Sequence, residues 1–317
     1  MAAKRIITVM GATGVQGGAV VRALSTTPEF SVRAVTRNSK SPSAQKLAVL
    51  PNVSVIEGDM SKPDTLVLAF KGAEVVYAIT NFYDPTIRAD TLEEARQGCA
   101  MADLAKEQGV KLFIWSTIPS ALLRTGARFD SLRLVENKFT VLQYLKYKEV
   151  PHVDLYLGFF MDNWINFGGI GKDKNGYTVS QPVLHPDTKL GMIWIEKDLG
   201  PSVIAILKKY PSHPEILGKS LYGVSGMYST RYFVEEVKKQ IGENTRLITM
   251  PSSGLEELDR MYHYYNDWGV YTDVEILHPR SVECGFSFTP MSEFVKEVVV
   301  PFTNSLDGAS GVQARGF

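Results

Sequence analysis

Cysteine is scarce, with only Cys99 and Cys284 in 317 residues. Two thiols cannot build a disulfide framework, which excludes the small stapled folds of secreted proteins. Surplus charge is also lacking. Lys plus Arg and Asp plus Glu number 34 each, so the formal net charge is zero. Duplex binding calls for a basic excess or stripe, so no direct contact with nucleic acid is expected. No apolar run approaches the roughly 20 residues that span a bilayer. The opening MAAKRIITVM reads as the approach to a strand rather than as a signal peptide. The five histidines (His152, His185, His213, His263, His278) are widely separated, and neither HxxxH nor CxxC occurs. No metal site is expected on that spacing. Together these absences point to a soluble, cytoplasmic protein with no membrane association.

Hydrophobic residues make up 44% of the chain, ample for a large core. The first half alternates apolar, β-rich runs with helical patterns: RIITVMG (5–11), SVRAVTR (31–37), VSVIEGD (53–59), EVVYAIT (74–80), KLFIWST (111–117) and HVDLYLGF (152–159). The runs are unbroken rather than alternating, as in parallel strands covered on both faces. Strand–helix alternation with short connections predicts an α/β fold, a Rossmann-type doubly wound parallel sheet, over residues 1–158. Past about residue 160 glycine, aromatics and Asn/Asp thicken. The helical KDLGPSVIAILKKY and strand-like SLYGVSG, within 198–226, are expected to return to the sheet. Residues 159–197 and 227–300 would form a smaller, discontinuous C-terminal α/β domain, and the polar, glycine-rich 304–317 a mobile tail. Leu92, Ala95, Cys99 and Ala102 recur at helical spacing, so Cys99 reads as a buried small hydrophobe.

The first run leads into VMGATGVQGGAV, with Gly11, Gly14 and Gly17 between a strand and a helix. Gly11 permits a tight turn, Gly14 leaves room for a pyrophosphate, and Gly17 allows close packing of the helix. The helix N-terminus then offers free N–H groups and a positive dipole end to phosphates. This context predicts a dinucleotide site. An Asp or Glu at the end of the second strand would hold the ribose hydroxyls of NAD. Thr36, Arg37 and Asn38 stand there instead. Arg37 suits a 2′-phosphate, with Lys40 assisting, so NADP(H) is the expected cofactor.

Four further stretches, EGDMSKPDTL, AITNFYD, EEARQGCAMADLAKEQGVKLFIWST and GFFMDNW, follow in order. With the glycine loop and Arg37 they resemble the NmrA-like family of atypical short-chain dehydrogenase/reductase proteins, most closely its human redox-sensor branch. The resemblance spans Lys4 to about Val298. It implies that Gly11, Ala12, Thr13, Gly14, Val15, Gln16 and Gly17 cradle the pyrophosphate, and that Arg37, Asn38, Lys40 and Ser41 surround the 2′-phosphate. It implies further that Asp59 and Met60 flank the adenine, and that Thr80, Asn81 and Phe82 line the path to the nicotinamide ribose. Lys138 would contact that ribose, and Phe160, Met161, Asp162 and Asn163 would close over the same end.

Dehydrogenases of this superfamily use Tyr-x-x-x-Lys on one helix face. The literal match, Tyr144 to Lys148, lies at the wrong end of its helix. Lys138 is better placed and matches the family lysine, but Leu134 stands four residues earlier, and leucine cannot move a proton. Lys138 could act alone as general acid or base, with Ser116 and Thr117 orienting a carbonyl oxygen. The aromatics of the second half, Phe159, Phe160, Trp164, Phe167, Tyr177, Trp194, Tyr262, Tyr264, Tyr265 and Trp268, are divided between core and substrate wall in a way that sequence does not sort. The expected function is an NADP-dependent oxidoreductase acting on a small carbonyl or enone. The alternative is a non-catalytic NADP(H) redox sensor that signals to a regulatory protein partner, with a homodimer allowed. The loops after Thr80 and around Gly168–Gly176 are its candidate switches.

Overall fold

The structure, a computed structural model, describes residues 4–308. Thirteen strands are named in chain order. Six come from the first half: β1 (Arg5–Val9), β2 (Phe30–Thr36), β3 (Val53–Glu57), β4 (Val75–Ala78), β5 (Leu112–Thr117) and β6 (His152–Leu157). The others are β7 (Phe159–Phe160), β8 (Ile170–Asp173), β9 (Gly176–Pro182), β10 (Leu190–Ile193), β11 (Ser220–Gly223), β12 (Gly226–Tyr228) and β13 (Thr245–Met250). Seven form one sheet in the order β11-β6-β5-β4-β1-β2-β3. All six pairings in it are parallel.

The unbroken apolar runs have the expected cause. Every residue of β4, β5 and β6 is buried. Side chains alternate between faces along each strand. Val76, Ala78, Phe113 and Trp115 join one core cluster with Met101 and Val141. Val75, Tyr77, Leu112 and Ile114 join a second with Val20, Leu24 and Ile206. Helices Glu93–Glu107 and Arg133–Tyr147 cover the first face, and Val15–Ser25 and Gly200–Lys209 the second. The chain enters at β1, runs outward to β3, then jumps back to β4 on the other side. Strand order therefore reverses at β1, where an open α/β sheet leaves a crevice beyond its strand C-termini.

SLYGVSG divides. Ser220–Gly223 pairs with β6 at the edge of the large sheet, whereas Gly226–Tyr228 joins a small sheet, β12-β10-β7. A second small sheet, β13-β9-β8, lies beside helices Thr230–Ile241 and Glu256–Asp267 in chain order. Three expectations need correction. Gly168–Gly176 is no open loop, because β8 and β9 form an antiparallel hairpin with Gly176 at φ +118°. The start of the expected tail is helical, within Val300–Gly308, and Asp307 accepts bonds from Lys172 Nζ at 2.6 Å and Tyr177 Oη at 2.7 Å. Residues 309–317 of that tail lie outside the described residues. Leu92 precedes its helix and is exposed, and Cys99 is half-buried against the core.

A π-helical turn, Ile195–Leu199, carries Asp198 into the interior. Asp198 Oδ1 accepts the hydroxyl and amide of Thr289 at 2.7 and 3.1 Å, while Oδ2 has no partner. Burial, only partly offset by those bonds, pushes its carboxyl up to about 6 from 3.8. The folded chain thus keeps this proton to higher pH than the unfolded chain. The stability it contributes is full below the unfolded value and is lost as pH rises through the folded one. Asp198→Asn keeps the Oδ1 acceptor and removes the charge. It should stabilise by up to about 3 kcal/mol at pH 8 and have little effect near pH 4. Urea unfolding of both proteins at the two pH values checks this; a pH-independent difference would refute it.

Candidate functional site

The loop after β1 is shaped by backbone contact. Gly11 has φ +59°, in the left-handed region that favours glycine. A Cβ on Gly17 would stand 2.3 Å from the Gly11 carbonyl oxygen, so the helix begins in direct contact with the loop itself. Gly14 is the N-cap of Val15–Ser25 and supplies no side-chain acceptor, and the first turn has no acidic residue. The first-turn N–H groups are left for an anion. An acidic or bulkier loop would leave no such cradle, so the residues present fit a dinucleotide pyrophosphate.

This loop forms one end of a cavity of about 750 Å³ running over the strand C-termini. Gly11, Thr13, Gly14, Val15, Gln16, Gly17, Arg37, Asp59, Met60, Thr80, Asn81, Phe82, Ser116, Thr117, Lys138, Phe160 and Asn163 all line it. Six other expected residues do not. Ala12 is buried behind the loop, its N–H on the Val35 carbonyl. Asn38 Oδ1 accepts the Lys40 N–H, closing a turn. Ser41 caps helix Pro42–Ala48 by accepting from Ala44 N, and Lys40 precedes it off the wall. Met161 is a core residue. Asp162 accepts the Ile195 N–H at 2.9 Å, and burial, with the charge of Glu196 adding, raises its carboxyl pKa.

Lys138 lines the cavity from helix Arg133–Tyr147. Its backbone carbonyl accepts Trp115 Nε1 at 2.9 Å, which ties the helix to β5. Its ammonium donates to Thr80 Oγ1 at 2.7 Å and pairs with Glu94. Glu94 is fully buried, and its second oxygen has no partner. Gly98 makes the pair possible. A Cβ there would stand 2.3 Å from Val141 Cγ2, so the two helices approach closely one turn from both Glu94 and Lys138. Ser116 Oγ and Tyr77 Oη both donate to Gln16 Oε1 at 2.8 Å, while Thr117 Oγ1 is buried without a partner. Tyr144 and Lys148 instead converge on Asp103, away from the cavity wall.

Among the described residues, the charged side chains on the wall are Arg37, Asp59, Asp84 and Lys138 alone. Phe159, Phe160, Trp164, Phe167, Tyr262 and Tyr265 line it, together with Leu134. Trp164 stacks on Phe233 with centroids 3.7 Å apart. Burial raises the hydroxyl pKa of Tyr262 and Tyr265, keeping both neutral. Of the remaining aromatics, Trp194 and Tyr264 are core, Tyr177 holds Asp307, and Trp268 is exposed. Sequence reasoning missed Glu94, Tyr83, Asp84 and Tyr271. Glu94 reads as an ordinary first-turn acid of its helix. Burial, with Asp103 adding at the first, pushes the Cys99 and Cys284 thiols up to about 11. Among the described residues no cluster of three His, Cys, Asp or Glu could hold a metal, and no helix is long and apolar enough to cross a membrane.

Comparison with known proteins finds a matching family and similar folds. A model described as the NmrA-like family matches residues 3–295. The NmrA-like family domain-containing oxidoreductase cpsB of Aspergillus campestris is 31% identical over 288 residues, 83% of each chain. The crystal structure of NmrA, a negative transcriptional regulator, in complex with NADP superposes with a TM-score of 0.80 at 20% identity, covering 97% of this chain and 98% of that one. NADPH-dependent quinone oxidoreductase QOR2 of Escherichia coli, complexed with NADPH, gives 0.66 at 19% identity over 93% and 99%. At these identities the structures establish a shared fold.

Two outcomes follow from the site. Lys138→Met strands a buried carboxylate and should cost about 3 kcal/mol of stability, most of it recovered in Lys138→Met/Glu94→Gln. Equal stability of the single variant and wild type in urea would show that the pair is not energetically coupled. Gly17→Val should weaken dinucleotide binding at least about tenfold by pushing the helix off the loop. Calorimetry finding unaltered affinity would make the loop a mere turn.

Proposed function

The chain belongs to the NmrA-like family, and from that premise and the cavity's make-up we propose an NADPH-dependent oxidoreductase that reduces an uncharged, conjugated or aromatic carbonyl compound. The observation that carries the reading is one continuous cavity. It begins at the glycine loop, passes the Lys138 ammonium, and ends in an aromatic wall without charge. The NADP-bound NmrA and the NADPH-bound quinone reductase support it. Gly11 to Gly17 hold the pyrophosphate by backbone N–H groups, Arg37 meets the 2′-phosphate, and Asp59 and Met60 flank the adenine. Thr80, Asn81, Phe82, Phe160 and Asn163 border the nicotinamide end. Residues up to 158, with 198–226, form the cofactor domain; 159–197 and 227–300 form the substrate domain.

The bound cofactor would supply the hydride. Lys138 stabilises negative charge developing on a carbonyl oxygen and stands as its proton source, since Leu134 offers no hydroxyl. Glu94 and Thr80 fix the position of the ammonium. The uncharged wall selects against ionised substrates, because a charge moved there would lose its hydration unpaired.

Leu134 favours a second reading, an NADP(H)-responsive regulator of a protein partner, in which Lys138 only binds the ribose. A screen of quinones and enones with NADPH, following loss of its absorbance, separates the two. Turnover should be abolished in Lys138→Met/Glu94→Gln while NADPH binding survives. Binding without turnover for any substrate would favour the regulator. Under either reading Arg37→Ala should weaken NADP(H) by about 1.5–3 kcal/mol and leave NAD(H) nearly untouched. Equal losses for both cofactors would give Arg37 another role.

A further inference from the structure

Arg37 already has a partner in this structure. Its Nη1 lies 2.5 Å from Asp84 Oδ2, and both residues line the adenosine end of the cavity. Asp84 comes from the segment after β4 and is firmly placed. Its Oδ1 accepts the Thr86 N–H at 3.0 Å and the Thr86 hydroxyl at 2.7 Å. The Asp84 side chain is 12% exposed against 60% for Arg37. Burial opposes its ionisation, but the Thr86 bonds and then Arg37 outweigh that, holding the carboxyl below its ordinary range. The arginine is therefore the member of the pair that is free to move, and the carboxylate is the fixed one.

We propose that Asp84 is a specificity-determining residue for the cofactor, occupying Arg37 and setting a fixed negative charge beside the place of the adenosine 2′-phosphate. The proposal rests on the reading of Arg37 as the contact to that end of the cofactor. Binding of a 2′-phosphate must draw the guanidinium away from Asp84 or share it, and brings two like charges close together. A free 2′-hydroxyl, as in NAD(H), meets no such penalty and can donate to the carboxylate. Arg37 thus favours the phosphorylated dinucleotide and Asp84 opposes it, so the preference is a difference between two neighbouring terms. The carboxylate that is missing from the end of β2 is in effect supplied from the end of β4.

Titration calorimetry of the full chain with NADP+ and with NAD+ tests this, using wild type, Asp84→Asn, Asp84→Glu and Arg37→Ala. Asparagine keeps the Oδ1 acceptor for Thr86 and removes the charge; glutamate keeps the charge. Asp84→Asn should tighten NADP+ about tenfold and leave NAD+ unchanged or slightly weaker, while Asp84→Glu stays near wild type. In the Arg37→Ala background the part of the gain that comes from releasing the guanidinium disappears and only the like-charge part remains, so the double variant separates the two. An unchanged NADP+/NAD+ ratio in Asp84→Asn, or equal shifts for both cofactors, overturns the proposal and leaves Asp84 a structural cap. Arg37→Ala without effect on either cofactor overturns the reading of Arg37 itself, an outcome distinct from the first.

Discussion

The close approach of two helices at Gly98 and Val141 is the contact on which the centre of the cavity depends. The absent side chain at Gly98 lets helix Glu93–Glu107 meet helix Arg133–Tyr147 where any Cβ would collide with Val141. One turn away on each helix stand Glu94 and Lys138, which consequently pair across the seam. Trp115 of the sheet holds the second helix from below through the Lys138 carbonyl. Packing, not loop structure, therefore decides where the ammonium sits. Positions on rigid elements are held more accurately than positions on loops.

The cavity has a simple electrostatic layout. Three of its charged residues, Arg37, Asp59 and Asp84, follow β2, β3 and β4, and the Lys138 ammonium comes from a helix. Among the described residues the remaining wall is uncharged, with aromatic and aliphatic side chains interrupted by polar ones such as Gln97, Asn163, Ser180 and Gln181. Each charged side chain of the centre has an identified partner, so the field there is organised before any ligand arrives. Preorganised charge of this kind needs no rearrangement during a reaction. A small-molecule site with an apolar body and a few convergent polar groups is the usual form of such pockets. The reversal of strand order at β1 supplies the opening in which all this is arranged.

Local and periodic features were legible in the sequence. Continuous apolar runs gave the parallel sheet because strands covered on both faces need no polar alternation. The glycine loop was legible because its turn, cap and helix start lie within seven residues. Ion pairs between remote positions were not. Glu94 and Lys138 are 44 residues apart, and Arg37 and Asp84 are 47 apart; nothing in a single chain announces either meeting. Composition misled at the C-terminus, where a polar stretch that reads as a tail contributes Asp307 to a contact with Lys172 and Tyr177. Ser41 is ambiguous in the sequence, since a hydroxyl next to a basic loop suits a phosphate and a helix cap equally well. In the fold its oxygen accepts the Ala44 N–H, a bond that uses the acceptor side of the hydroxyl only.

The burial of the two thiols has a consequence for their reactivity. Thiolate is the form that reacts with peroxides and alkylating agents, and both sulfurs are held well away from ionising by burial. Oxidants at modest concentration should leave them intact. Oxidation at sulfur is thus disfavoured by the packing of the fold itself, at Cys99 as at Cys284.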